Sequence, residues 1–194
     1  MTLFEAIPLP ARIDDSWWTI SPLTGNLIRH REWKSPPTKS SALPAFVADA
    51  LYYCDNPYEC HWDPVMIREP VGKVARERLE KLSRRLIALG NSRFLLSVLY
   101  SGLTEPLFNT TRAAFGEISM LADQALHKEE LCLPRSLLAA KISRSFRNGG
   151  VLFIGAMVES LDMHAWIIER GEQPDPEDRT WINYRPLLAY TCNR

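Results

Sequence analysis

The sequence predicts an α+β chain: a small β-rich N-terminal piece, a run of helices, then an antiparallel sheet. Three observations carry this. Short β-prone runs broken by turn signals fill the first 33 residues. From 73 to 148 the apolar residues fall on helical stripes. After Gly149–Gly150 the hydrophobic period drops to two.

Taken in order, "SWWTI" is β-prone, "SPLTGN" is a turn signal and "LIRH" reads as the returning strand. "KSPPTKSS" (34–41) is the most linker-like stretch, with adjacent prolines and serines. "LPAFVADALYYC" has helical spacing at Phe46, Ala50 and Tyr53, and "DNPYECHWDP" breaks it. "KVARERLEKLSRRLIALG" sets Ala75, Leu79, Leu82, Leu86 and Leu89 on one stripe, with Gly90 as a C-terminal stop. "FLLSVLYSGL" (94–103) is nearly all apolar and reads as a buried helix. "RAAFGEISMLADQALHKEE" aligns Phe115, Ile118, Leu121 and Ala125 on another amphipathic helix. "CLPRSLLAAKISRSFRNGG" is a further helix, with a proline in its first turn and paired glycines at its end. "VLFIGAMVE", "MHAWIIER" and "RTWINYRPLL" then read as three strands.

Composition narrows the functional classes. At 194 residues, 46% hydrophobic and 24% charged, the chain has enough apolar content to bury a core. Lysine plus arginine and aspartate plus glutamate both number 23, so no global field favours nucleic acid or an anionic membrane. No apolar run approaches the roughly 20 residues of a membrane span. The start lacks the basic-then-apolar pattern of a secretory signal, and a cytoplasmic location is expected. The four cysteines, Cys54, Cys60, Cys132 and Cys192, are too few and too scattered for a disulfide scaffold.

Two residues raise a question of chemistry. Cys132 heads a helix, where free backbone N–H groups and the positive end of the dipole favour a thiolate. By position alone, burial between Leu131 and Leu133 is the stronger reading. His164 heads an alternating strand, where a half-buried core histidine is the default. A helix packed on an antiparallel sheet brings such a pair together without sequence proximity, as nucleophilic catalysis requires. A third group must orient the imidazole, and the acidic stretch after Gly171 offers Glu172, Asp175, Glu177, Asp178 and then Asn183. A solvated acidic turn is the plain alternative.

The stretch from "CL" (132–133) and "SL" (136–137) through "LFIGAMVES" (152–160) to "HAWII" (164–168) resembles the core of the lasso-peptide leader peptidases. These are cysteine proteases with a transglutaminase- or papain-like core. "YRPLLAY" resembles the family's closing segment, and the likeness covers roughly the last third of the chain. The resemblance implies a peptidase domain over 71–194, with Cys132 as nucleophile, His164 as base and Asp175 as the acid. Pro174 stands where the family has asparagine, so Asp178 and Asn183 stay open as the third member. "SLDM" replaces the usual proline–phenylalanine turn before the histidine.

The resemblance further implies a leader-recognition domain of winged-helix type over residues 1–70, with "WWTISPLTGNLI" resembling its hairpin. The substrate would be the leader of a ribosomally made precursor peptide. The partner would be an asparagine-synthetase-like cyclase that uses ATP. The chain itself has no phosphate-cradling glycine motif, and no cofactor of its own is expected.

Rival readings are other acyl transfer on the same triad, such as transglutaminase or amidase work, and a non-catalytic peptide- or metal-binding module. Cys54, Cys60 and His61 are close in sequence, but C-x5-C-H without a fourth ligand is weak for zinc. His30 and His127 read as surface or boundary residues and Cys192 as incidental. The six tryptophans read as core or interface anchors, not a base-stacking platform.

Overall fold

The computed structural model describes residues 4–22, 24–36, 43–89, 105–125 and 132–192, with side chains described to 84 in the third segment and to 121 in the fourth. Gly90, the apolar stretch 94–103 and His127 lie outside the described residues, as do most of the expected linker and the side chains of Leu86, Leu89 and Ala125.

Its class is α+β. The N-terminal part supplies β1 (Phe4–Pro8), β2 (Ala11–Ile13), β3 (Ser16–Ile20), β4 (Leu27–His30), α1 (Ala45–Asp55) and β5 (His61–Trp62). Helices α2 (Lys73–Leu89), α3 (Thr111–Ala125) and α4 (Cys132–Ile142) follow. The chain closes with β6 (Gly150–Met157), β7 (Met163–Glu169), the two-residue β8 (Glu172–Gln173) and β9 (Tyr184–Cys192). Six strands form one sheet in the order β1-β9-β6-β7-β8-β5, antiparallel except where β5 meets β8. β2, β3 and β4 form a separate three-stranded meander. Its turn is the expected one, with Ile20 opposite Leu27 and Gly25 in the left-handed region at φ 68°.

The central strands are apolar on both faces because both faces are covered. Alternate residues of β6 go opposite ways: Leu152, Ile154 and Ala156 meet Phe115, Leu137 and Leu79 on the side of α2–α4. Val151 and Phe153 join Trp166, Ile168 and Ala189 under Val47 and Ala50 of α1. Each such large side chain removed from water contributes about 1.5–3 kcal/mol.

Residues 1–70 are not a separate winged-helix unit. β1 hydrogen-bonds along β9 from Phe4–Cys192 to Pro8–Leu188, and β5 extends the other edge. Ile13 and Ile20 of the meander share one core with Leu79 and Leu137. The boundary expected at 70 therefore cuts through a common sheet and core.

Two boundaries also differ from the periodic pattern. α4 stops at Ile142, well before the glycines. There the Leu107 and Phe108 N–H groups take its last carbonyl (2.8 and 3.1 Å), while Ser143 and Ser145 hydroxyls bond Thr111. The Arg144 and Ser145 N–H groups go to the Phe108 and Asn109 carbonyls (2.9 and 3.0 Å) in place of helical partners, which ends the helix. The strand expected from 179 starts at Tyr184, after a 3-10 turn over Trp181–Asn183 that buries Trp181.

Candidate active site

α4 runs across β7, tied to it where the Ser136 hydroxyl donates to the Ala165 carbonyl (3.2 Å). This packing sets the first residue of α4, Cys132, beside His164 at the start of β7. The two side chains are close enough for the sulfur to act on the ring's proton affinity. The chain reaches this geometry because of Gly155, which pairs with His164 across the β6–β7 ladder at a register shift toward β9. A Cβ there would run into the Arg185 carbonyl and the Trp166 ring, so only glycine lets β6 and β9 close up behind the histidine.

The imidazole is held on its other side by Asp178. Its Nε2–H donates to Oδ2 at 2.7 Å, which leaves Nδ1 for the sulfur. Oδ1 of Asp178 in turn accepts from the Thr180 N–H (3.0 Å) and hydroxyl (3.1 Å), a local Asx turn encoded by "DRT". The buried amide of Gln173 approaches Oδ2 at 3.5 Å. Aromatic rings shield the flank: Tyr184 lies 4.9 Å and Trp166 6.1 Å from the imidazole centroid.

Burial lowers the proton affinity of His164, but the hydrogen bond to Asp178 and then the contact with Cys132 outweigh it and lift the pKa to about 9. Burial acts on Asp178 the other way, yet the bond to His164 holds its carboxyl below the usual value of 3.8. At neutral pH the pair is an imidazolium on a carboxylate. The other three thiols are in different company. Burial pushes Cys54 up to about 12 and Cys60 and Cys192 up to about 11, as expected of inert buried sulfur.

The chain matches no family model, no curated protein and no solved structure. The site is therefore read from its own geometry.

That geometry corrects one expectation. Asp175, favoured from sequence as the acid on His164, points away from the ring. Its Oδ1 takes the Arg135 guanidinium at 3.0 Å and its own loop's Glu177 N–H at 3.0 Å, while its carbonyl accepts the Trp62 indole N–H (3.2 Å). Asn183 ends the 3-10 turn, exposed, its N–H on the Thr180 carbonyl (3.1 Å). Asp178, three residues past Asp175, is the carboxylate that reaches the ring. Sequence reasoning passed over Thr180, Gln173 and the Arg135–Asp175 pair. Only the D-x-T spacing carried a local signal, since the other partners lie on different elements.

Among the described residues, no group of three or more His, Cys, Asp or Glu side chains is placed to hold a metal ion. Among those residues, too, no helix is long and apolar enough to cross a membrane. A thiol, an imidazole and a carboxylate in line are the parts that nucleophilic acyl transfer uses.

Proposed function

We propose that this protein is a cysteine peptidase of transglutaminase-like type that removes the leader from a ribosomally made lasso-peptide precursor. The observation that carries the reading is the series Cys132–His164–Asp178, with the carboxylate bonded to the ring and the sulfur close enough to act on it, assembled from a helix N-terminus, a strand and the following loop. The resemblance of 132–168 to the leader peptidases narrows acyl transfer to that substrate.

On this reading the Cys132 sulfur attacks the carbonyl at the leader–core junction and forms a tetrahedral oxyanion. The backbone N–H at the helix start serves as one oxyanion donor. The His164 imidazolium gives its Nδ1 proton to the leaving amine, which departs as the new N-terminus of the core peptide. The neutral imidazole then takes a proton from water, whose oxygen displaces the sulfur from the thioester. Asp178 keeps Nε2 protonated throughout and fixes the ring. The freed amine is the group that a partner cyclase, asparagine-synthetase-like and ATP-using, joins to an acidic side chain. On this reading the protein works in the cytoplasm, where a ribosomally made precursor arises.

Incubation with the precursor encoded beside its gene, followed by mass spectrometry, tests this. Leader loss by the wild type, abolished in Cys132→Ala and His164→Ala, is expected. Cleavage at the wild-type rate by either variant excludes the assignment. Transfer of the acyl group to an added amine in place of hydrolysis would instead favour transglutaminase work on the same three residues.

A further inference from the structure

Asp178 has little regular structure to hold it. The strand before it, β8, is two residues long and meets β7 through the single antiparallel pair Glu169–Glu172. The loop 174–180 is fixed by other means, and the main one comes from the helix that carries the sulfur. Arg135, one turn after Cys132, reaches Asp175 Oδ1 at 3.0 Å and Glu177 Oε2 at 2.9 Å. The same guanidinium donates to the Ser119 hydroxyl of α3 (3.1 Å) and lies 6.0 Å over the Phe115 ring. From the other side, Trp62 donates to the Asp175 carbonyl while Arg179 sits 4.1 Å over its indole. The Asp178 N–H closes onto that same Asp175 carbonyl at 3.3 Å.

We propose that Arg135 is a positioning residue: by gripping Asp175 and Glu177 from the first turn of α4, it holds the Asp178 carboxylate against His164. The inference rests on the triad reading above. Its physical basis is that one rigid helical turn carries both the sulfur and the anchor of the orienting loop. Sulfur, ring and carboxylate then keep their spacing although they come from three separate elements. The arrangement has a cost that a surface ion pair would not carry, because the Arg135 Nε is buried with no hydrogen-bond partner. All three polar contacts are made from one guanidinium nitrogen, Nη2, so a lysine ammonium replaces them only in part, without the planar group over Phe115.

Histidine NMR on the full chain tests the proposal without any substrate. The chain has four histidines, and His164→Gln assigns the resonance. Cys132, Asp178 and Tyr184 are the titratable groups facing the ring. Wild-type His164 is expected to titrate near 9. In Arg135→Met the midpoint falls toward the ordinary 6.5, a loss of about tenfold or more in proton affinity, as the Asp178 bond loosens. Arg135→Lys falls between the two.

The sign is diagnostic. Removing a cation would by charge alone favour the imidazolium and raise the midpoint, so a fall reports the lost carboxylate. An unchanged or raised midpoint in folded Arg135→Met overturns the proposal. If circular dichroism shows that variant unfolded, Arg135→Gln is read in the same way, with the same overturning result. Cleavage assays separate the two ideas. A lowered midpoint in a protein that never cleaves a precursor upholds the positioning role and removes the peptidase reading. Cleavage by the wild type with an unmoved midpoint in Arg135→Met removes only the positioning role.

Discussion

At His164 two opposing effects meet, and their balance has measurable consequences. Burial alone would leave the ring neutral, but the Asp178 carboxylate at 2.7 Å and the nearby sulfur keep it charged. Its pKa is about 9 in the fold against 6.5 as an ordinary histidine, so the folded state binds this proton more tightly. The stabilisation is complete below pH 6.5 and is lost as the pH rises through 9. Thermal melts from pH 6 to 10 should therefore show wild type and His164→Gln converging at the alkaline end. A gap that widens with pH contradicts the ion pair. Asp178→Asn removes the charge while keeping the shape, and kcat/KM for leader removal should drop about 10²–10⁴-fold, as in other triads. Asp175→Asn should cost about tenfold or less, because Glu177 and Ser119 still engage Arg135. Equal losses in the two variants would contradict the exchange of roles between these acids.

Among the elements, β6, β7 and α4 carry the site, and the sequence wrote each of them legibly. Short apolar runs marked the two strands, and a glycine pair marked where β6 begins. What alternation does not show is the role of Gly155, which looks like a weak point in a strand until Trp166 and the Arg185 carbonyl are seen against it. Gly155→Ala should destabilise by about 1–3 kcal/mol through overpacking, read from denaturant midpoints. It should also disturb His164, its cross-strand partner. A stability equal to wild type would mean that β6 and β9 have room which the packing denies. The early end of α4 has a similar origin. Helical pattern continues past Ile142, but the segment 107–109 takes the Ile142 carbonyl and the Arg144 and Ser145 N–H groups that the next turn needs.

For the whole molecule, the decisive fact is that the first and last strands lie side by side. β1 seals the edge of β9, Phe4 and Ile7 are buried, and Phe4 packs on Phe146 with ring centroids 6.1 Å apart. Residues 71–194 expressed alone should then lack a cooperative thermal transition, whereas the full chain has one. A well-folded 71–194 would restore the two-domain division. The same closure explains why a β-rich start with a following helix looked like a domain of its own. Local pattern reports strands and helices, but not which sheet a strand joins.

The sequence by itself determined the class, the order of most elements, and the pairing of Cys132 with His164 as the residues to examine. Periodicity and helix position depend on near neighbours, and these residues stand in well-marked elements. Only the tertiary structure decided that Asp178 and not Asp175 meets the imidazole, and that the N-terminal strands belong to the common sheet. Six acids or amides follow Gly171 within twelve residues, and nothing local ranks them. The choice was made by Arg135, which reaches from a helix forty positions earlier to claim Asp175 and leaves Asp178 facing the ring.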